Sequence, residues 1–394
     1  MMSVRTAKAC ALPLLGLALA LLVGCGSSGS SSGSSTAGSS NNNAVDQKAQ
    51  ASLKELSQKV LAKGPNGETP VPASSITLSP AEIAKIKAKN ATAAIVLHYG
   101  GNDWSTAQVA GQKAEFKQLG IKVIAVTDAN FKPDKQVSDI ETVLTKKPDI
   151  IVSIPTDPVA TAAAYRKAVN QGVKLVFMDN VPKGFKPGKD YVSDVSADNY
   201  GNGVVSAALM AEKLGGKGQI GVIFHDADFF VTAQRYQGFM SEMQKNFPGI
   251  KVVAKQGIAG PDFAGDAEKA ATAMLAQHPT LNGIWAVWDV PAEGVLAAAR
   301  ASGRANNLTI ATQDLGENVA INMAQGGDVK DLGAQRPFDQ GVTEAKLAGY
   351  ALIGKKAPAY VAAPSLPVTQ ANVMQAWQQV YHAPPPSQLQ NAGK

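Results

Sequence analysis

From Ala91 onward the sequence alternates short apolar runs with segments of helical periodicity, and no other feature restricts the possible folds as strongly. This alternation is typical of βαβ units, whose strands form a mainly parallel sheet. Four runs predict strands in the first half, at 94–97, 123–126, 150–154 and 175–178. A second series predicts strands at 220–224, 251–254, 284–288 and 308–312. A chain of 394 residues is long enough for two domains, so we expect two similar sheets.

The residues that directly follow these runs carry most of the functional information. In open α/β sheets, ligands bind outside the carboxyl ends of the strands. The segments at those positions are rich in Asp, Asn and aromatic residues, and they are 98–104, 127–130, 155–157, 179–180, 225–230, 288–289 and 313–314. Such side chains suit a neutral polyhydroxylated ligand, because hydroxyls need donors and acceptors while C–H faces pack on aromatic rings.

The first 25 residues predict export and lipidation. Arg5 and Lys8 precede an apolar run at 11–23, which is shorter than the roughly 20 residues needed to span a bilayer. Residues 1–24 therefore predict a signal peptide. The run ends in Leu-Val-Gly-Cys at 22–25, which resembles the lipobox of bacterial lipoproteins and predicts lipidation of Cys25. A plain secretory signal with a chance cysteine is the alternative.

Residues 25–45 predict a flexible tether behind the lipidated cysteine. The stretch 26–43 is almost wholly Ser, Gly and Asn, and it cannot bury enough apolar surface to offset its ordering entropy. Residues 46–90 form an N-terminal extension with a predicted helix at 47–63. The sequence leaves open whether this extension packs on the main body.

Composition and motif spacing exclude several classes of function. The net charge of +6 comes from scattered residues without a Lys/Arg stripe, so no nucleic-acid partner is expected. The two cysteines, Cys10 and Cys25, both lie near the start, which leaves no thiolate metal site in the folded body. The four histidines also lack metal-ligand spacing. We therefore expect neither a metal nor a cofactor.

Two further patterns resemble catalytic motifs without their context. Residues 216–221 fit G-x-G-x-x-G, but they precede a predicted strand, which excludes the phosphate-binding turn of a dinucleotide site. Asp226 and Asp228 form a carboxylate pair, which alone cannot establish hydrolysis. We expect a protein that is not an enzyme.

Four stretches, taken in order, resemble one protein family. They are Ile-Pro-Thr-Asp at 154–157, Phe-Met-Asp-Asn at 177–180, Ser-Ala-Asp-Asn at 196–199 and Arg-Tyr-Gln-Gly-Phe at 235–239. Over roughly residues 91–370, the sequence is similar to the periplasmic sugar-binding proteins of ABC importers, in the ribose-binding-protein-like branch. The resemblance implies two Rossmann-like lobes with parallel sheets, joined by three crossings of the chain. It places 91–197 plus 336–365 in lobe 1, and 198–335 plus 366–394 in lobe 2.

The resemblance also implies the ligand-binding residues. They are Asn102, Trp104, Asp179, Asn180, Arg235, Phe263, Trp288, Asp314 and Gln335. For several of these a structural role is the alternative: a core position for Trp104, a turn cap for Asp179, a surface ion pair for Arg235 and a hinge position for Gln335. Trp285 and Trp288 lie three residues apart on a predicted strand, so we expect one in the core and Trp288 in the site.

Departures from the family pattern bear on the ligand. Ribose-type members have Arg where Asn180 stands and Asn where Trp288 stands, and Ser105 replaces a second aromatic ring. The ligand therefore need not be ribose. Acidic residues at the predicted cleft, including Asp103 and Asp289, outnumber Arg235 and leave open a cationic or amine-bearing ligand.

The function implied is that of a monomeric receptor that delivers a monosaccharide or polyol to an ABC permease in the cytoplasmic membrane. A sensor that signals to a membrane receptor is the main alternative. Transcription regulators with the same two-lobed fold carry an N-terminal helix-turn-helix, which the lipobox at 22–25 replaces here.

Overall fold

The computed structural model describes residues 36–56 and 59–393. The predicted signal peptide and Cys25 lie outside the described residues. The strands are β1 Val71–Pro72, β2 Thr92–Leu97, β3 Lys122–Asp128, β4 Ile150–Ser153, β5 Lys174–Met178, β6 Ser193–Ala197, β7 Gly218–His225, β8 Ile250–Ile258, β9 Gly283–Ala286, β10 Thr309–Gln313, β11 Val329–Ala334, β12 Tyr360–Ala363 and β13 Leu366–Thr369. The helices are α1 Thr36–Leu56, α2 Pro80–Lys87, α3 Asp103–Gln118, α4 Pro133–Thr145, α5 Ala162–Asn170, α6 Asn199–Lys213, α7 Phe230–Asn246, α8 Phe263–Gln277, α9 Asp289–Ala301, α10 Glu317–Ala324, α11 Pro337–Leu352, α12 Val373–Tyr381 and α13 Ser387–Ala392.

The strands form two sheets, and each sheet is the centre of one lobe. The seven-stranded sheet of the first lobe has the order β1-β12-β6-β5-β4-β2-β3, and the six-stranded sheet of the second has the order β13-β11-β10-β9-β7-β8. The predicted two-lobed α/β fold is confirmed. One detail differs from the prediction of parallel sheets, since β13 pairs antiparallel with β11. It does so because β13 begins just after β12, as the chain returns from the first lobe.

The chain passes between the two sheets at three places after β2. It leaves the first sheet at the end of β6 for the second-lobe helix α6, and it returns after β11 into α11, which packs on α3 of the first lobe. The third passage joins β12 to β13. The hinge is therefore made of residues close to 198, 335 and 364.

The N-terminal extension packs on both lobes. Helix α1 lies on α6 of the second lobe, where Leu56 contacts the buried Val205 and Leu209. Farther along, β1 adds a strand to the first sheet beside β12, and Ile86 of α2 enters the first lobe's core. The question that the sequence left open is settled in favour of packing.

The helix in this extension lies earlier than predicted. It covers Thr36–Leu56, so it overlaps the residues 36–45 that we assigned to the tether, and it ends before the predicted end at residue 63. Burial of Ala49 and Leu56 against the second lobe supports the helix despite weak helix formers in its first half. Packing on a neighbouring surface commonly outweighs intrinsic propensity in this way.

The apolar cores flank both sheets. Trp285 of β9 is fully buried in the second lobe, where its ring stacks on Phe239 at a centroid distance of 4.7 Å. In the first lobe, separate clusters cover the two sheet faces, one with Phe116 and the other with Phe177. Among the described helices, none is long and apolar enough to cross a membrane.

Candidate functional site

A small cavity of about 60 Å³ lies between the two lobes. Its wall comes from the carboxyl ends of strands in both sheets and from the N-termini of the helices that follow. The lining residues are His98, Tyr99, Asn102, Trp104, Phe131, Ile154, Asp179, His225, Phe229, Val231, Thr232, Arg235, Trp288, Asp289, Asp314 and Gln335.

Most of the site residues predicted from sequence meet at this cavity. Those in its wall are Asn102, Trp104, Asp179, Arg235, Trp288, Asp289, Asp314 and Gln335. The remaining three, Asp103, Asn180 and Phe263, lie outside the wall. Phe263 packs behind Trp288 at a centroid distance of 4.9 Å, and the Asn180 amide donates a hydrogen bond to the Pro155 carbonyl at 3.2 Å.

An ion pair forms the polar end of the cavity on the second lobe. The Arg235 guanidinium donates to both carboxylate oxygens of Asp314, at 2.9 and 3.2 Å, and both side chains are buried. Its Nε donates to the Asn199 side chain at 3.0 Å, while Gln335 donates to Asp314 at 2.9 Å. Because protein groups occupy most of its donors, Arg235 neutralises Asp314 and has little capacity left for other anions.

Two aspartates share a backbone conformation that directs their side chains into the cavity. Asp179 directly follows β5 and Asp314 follows β10, and both have left-handed backbone conformations, with φ of 60° and 65°. Aspartate tolerates this region better than most residues. The turn ends each strand and directs a carboxylate to the space between the lobes.

The Asp179 carboxyl titrates closer to neutral pH than an ordinary aspartate. Burial raises its pKa to about 6, against the opposing effects of the Ser196 hydroxyl and the Arg235 charge. One oxygen accepts a hydrogen bond from Ser196 at 2.5 Å. Above this pKa the other oxygen offers a charged acceptor at the cavity wall.

A second carboxyl in the cavity wall, that of Asp289, comes from the second lobe at the start of α9. Its burial, together with the charges of Asp314 and Glu293, raises its pKa well above the usual range. One of its oxygens accepts from the Val290 N–H at 2.9 Å. No set of three or more His, Cys, Asp or Glu side chains in residues 36–56 and 59–393 is arranged to hold a metal ion.

The opposite side of the cavity is an uncharged aromatic wall. His98 stacks on Phe229 of the other lobe at 5.4 Å and contacts Phe131 and Trp104 edge-on at 4.7 and 5.9 Å. Burial is the main cause that lowers the pKa of His98 to about 3 and that of His225 to about 4. Both imidazoles are therefore neutral at physiological pH.

Two ring nitrogens in this wall lack protein partners. His98 Nδ1 and Trp104 Nε1 are buried and make no hydrogen bond within the protein. Buried polar atoms of this kind cost free energy unless a partner satisfies them. A ligand hydroxyl can serve both nitrogens, because it can donate and accept.

Comparison with known proteins assigns this chain to a family. Residues 93–356 match the periplasmic binding protein domain. This chain belongs to the periplasmic binding proteins. The predicted similarity to the ribose-binding-protein-like branch is confirmed by the relatives.

Two curated relatives illustrate the similarity. The ribose import binding protein RbsB of Bacillus subtilis is 30% identical over 257 residues, which is 64% of this chain and 79% of that protein. The D-apiose import binding protein of Actinobacillus succinogenes is 28% identical over 272 residues, covering 68% and 84%.

Solved structures agree with the fold. A solute-binding protein from Agrobacterium vitis, bound with α-D-tagatopyranose, has a TM-score of 0.68 and 25% identity, covering 74% of this chain and 99% of that one. An ABC sugar transporter subunit from Rhodobacter sphaeroides has a TM-score of 0.64 and 26% identity, covering 72% and 99%.

Several wall residues of this periplasmic binding protein were not named as site residues, although His98, Tyr99 and His225 lie in the strand-end segments 98–104 and 225–230. His98 and Tyr99 directly follow β2, and His225 ends β7, so their positions at strand ends carried a signal. Phe131 lies farther into the loop after β3 and carried none. Its ring meets the second lobe's His225 and Phe229, a contact that depends on how the lobes are placed.

Asp103 joins the lobes of this binding protein. Its carboxylate, at the start of α3 in the first lobe, accepts the Glu317 backbone N–H at 2.7 Å. Glu317 begins α10 of the second lobe, and a helix N-terminus favours a negative charge. Asp103 therefore stabilises this arrangement, in which the two lobes are in contact, from outside the cavity wall.

We expect Asp103→Ala to weaken ligand binding about three- to tenfold, because it removes one charge-assisted interlobe bond that the closed form alone makes. Isothermal titration calorimetry measures the affinity, and small-angle scattering measures closure. Asp134→Ala, which removes a first-turn carboxylate from α4, is the control. Equal affinity of Asp103→Ala and the wild type would contradict this role.

Proposed function

We propose that this protein is the sugar- or polyol-binding component of an ABC importer, and that it binds its ligand between two closing lobes. The observation that carries the proposal is the interlobe cavity, which combines acceptor carboxyls with an aromatic wall. Relatives whose names assign ribose and apiose import, and a solved neighbour that holds tagatopyranose, support it. These relatives are solute-binding proteins, and we propose a non-catalytic role here as well.

The wall residues divide the contacts between them. We propose that Asp179, Asn102 and Gln335 bind ligand hydroxyls, while the rings of Trp104 and Trp288 pack on C–H faces. The free nitrogens of His98 and Trp104 add one polar contact at the aromatic side. In this arrangement Arg235 holds Asp314 in place rather than supplying most of the ligand contacts.

We propose that ribose is not the preferred ligand. The Asn180 amide, which stands in place of the family's Arg, is directed to the Pro155 carbonyl and supplies no fork of donors. Trp288, in place of an Asn, adds an apolar face to the wall. A ligand with a different hydroxyl pattern, or with more C–H surface, fits such a wall better than a compact pentose.

A thermal-shift screen over pentoses, hexoses, deoxy sugars and linear polyols tests the function. A ligand that binds the native state alone raises the melting temperature in a concentration-dependent manner. We expect at least one non-ribose compound to exceed ribose. The absence of a shift across the whole screen would overturn the proposed ligand class, and a clear advantage of ribose would overturn the specificity.

Binding should depend on pH through Asp179. Above a pKa of about 6 the carboxylate accepts ligand hydroxyls with its full charge, and this contribution is lost as pH falls through that value. We expect affinity about tenfold lower at about pH 5 than at about pH 7.5, by the ionised fraction. Titration calorimetry of the wild type and Asp179→Asn should show a weaker, flatter profile in the variant. An equally steep profile in Asp179→Asn would assign the effect to another group.

An amine-bearing sugar is the second candidate ligand. Arg235 already pairs with Asp314, so Asp179 and Asp289 face the cavity with no cation of their own. An ammonium group would favour the ionised form of both carboxyls, against the burial that raises their pKa values. Amino sugars in the same screen distinguish this candidate, because a preference for them should disappear in Asp289→Asn.

We also propose that Cys25 carries a lipid and that the mature protein is a monomer tethered at a bacterial membrane. It would face the periplasm or the outer side of the cytoplasmic membrane. There it would deliver its ligand to an ABC permease. The lipobox-like Leu-Val-Gly-Cys at 22–25 supports the anchor. The family supports export. Mass spectrometry of the mature N-terminus tests the anchor, and an unmodified start at another residue would reject it.

A further inference from the structure

The segment 59–72, which we call the hinge strap, connects the two lobes a fourth time. It follows α1, which packs on the second lobe, and it ends in β1, which pairs with β12 of the first lobe. The family match begins at residue 93, after the strap. The passages near 198 and 335 lie within the matched residues and the passage near 364 lies just beyond them, whereas the whole strap precedes them.

The strap is fixed to the hinge through Asp198. Backbone N–H groups of Leu61 and Ala62 donate to the two Asp198 carboxylate oxygens at 2.8 and 2.9 Å. The same carboxylate caps α6 by accepting the Gly201 N–H at 2.8 Å. Asp198 is fully buried, and these three donors stand in for water around its charge.

Asp198 also contacts the third passage between the lobes. Its backbone N–H donates to the Ala363 carbonyl at 2.9 Å, and its carbonyl accepts the Ser365 hydroxyl at 3.2 Å. One residue thus joins the first passage, the third passage and the strap. Movement of the strap relative to Asp198 therefore affects the geometry of both passages.

Each end of the strap has its own support. On the second lobe, Gln234 of α7 donates to the Lys63 carbonyl at 2.9 Å. On the first lobe, β1 is in register with β12, and Asn66 and Glu68 hydrogen-bond the Tyr191 hydroxyl at 3.4 Å. The strap is bound to both moving bodies and to the pivot between them.

We propose that the hinge strap restrains the opening of the lobes, with Asp198 as the residue that positions it. This role adds to ligand binding and rests on the two-lobed hinge rather than on any particular ligand. A restraint on opening keeps the ligand-free protein closer to its closed form. Because apparent affinity rises with the population of the competent form, the strap increases affinity without touching the ligand.

Asp198→Asn tests the proposal with little change in shape. Asparagine still caps α6, as it is an equally good N-cap, but its amide group cannot accept hydrogen bonds from both Leu61 and Ala62. Asp262→Asn is the matched control, since Asp262 caps α8 by the same contact to the Gly265 N–H, at an exposed site.

Small-angle scattering of ligand-free protein is the first measurement, and it needs no ligand. We expect a larger radius of gyration for Asp198→Asn than for Asp262→Asn and the wild type. Indistinguishable ligand-free profiles of a folded Asp198→Asn would overturn the proposal. Since this result does not depend on which solute binds, it separates a failure of the strap from a failure of the proposed function.

The second test is cleavage of the strap, which, unlike Asp198→Asn, replaces none of the native side chains. A protease site inserted at the exposed turn near Gly67 allows the chain to be cut after folding, and the same site near Asn306 serves as the control cut. We expect the first cut to widen the ligand-free form and to weaken binding of the best compound in the screen about three- to tenfold. Equal behaviour of the two cuts would overturn a restraint by the strap.

Discussion

Replacing Arg235 by Ala is expected to lower the free energy of unfolding by about 3–5 kcal/mol and to abolish measurable ligand binding. The variant leaves Asp314 buried without its partner, and it also removes the donor to Asn199. A buried charge without a partner is far more costly than a lost surface contact. Chemical denaturation measures the first effect and titration calorimetry the second.

Two further variants separate stability from binding. Arg235→Met combined with Asp314→Leu removes both charges, so we expect it to recover much of the stability while binding stays lost. Lys135→Ala breaks the exposed pair with Asp139 and should change stability by less than about 1 kcal/mol. Unchanged stability in Arg235→Ala would contradict the structural role that we assign to this ion pair.

This expectation differs from the one that the sequence supports by itself. Family resemblance assigns Arg235 to the ligand, and it does lie in the cavity wall. The sequence could not show that Asp314, 79 residues away, would occupy the guanidinium fork. Arg235 pairs with Asp314 because the turn after β10, where Asp314 has a left-handed backbone conformation, directs this carboxylate toward it.

Strand prediction succeeded where the apolar runs were continuous. Strands β2, β4 and β5 are buried on both faces, so their sequences carry the signal directly. Strand β6 was missed because its sequence, Ser-Asp-Val-Ser-Ala, is polar although every residue is buried. Burial raises the pKa of Asp194, the second residue of this strand, well above the usual range, which favours its uncharged form.

Contacts between the lobes could not be predicted from sequence patterns. Asp103 was predicted in the site, but its carboxylate caps α10 across the cleft instead of lining the cavity. The neutral state of His98 has a related origin, since the Phe229 ring of the second lobe stacks on it and contributes to its burial. Periodicity identifies helices and strands, whereas these features depend on how the two lobes are placed relative to each other.

Trp285→Ala should lower the free energy of unfolding by about 3–5 kcal/mol, as expected for truncation of a buried tryptophan. Trp285 is fully buried, stacks on Phe239, and donates its indole N–H to the Ser206 hydroxyl at 3.0 Å. It is not among the residues that line the cavity. Where the variant remains folded, its ligand affinity should stay close to that of the wild type.

Trp288→Ala is the matched variant, and it should show the opposite balance. Trp288 lies just beyond β9, where it faces His225 and Phe263 and lines the cavity, so its loss removes ligand-facing surface and opens the aromatic wall. We expect affinity to fall about tenfold or more, with a smaller loss of stability than in Trp285→Ala. Denaturation gives the loss of stability and titration the loss of affinity for each variant. If the ratio of the two losses is the same at both positions, the assignment of Trp285 to the core and Trp288 to the site is wrong. The two tryptophans are separated because β9 ends at Ala286: the Trp285 ring packs in the core against the sheet, whereas Trp288 lies beyond the strand end, at the cleft.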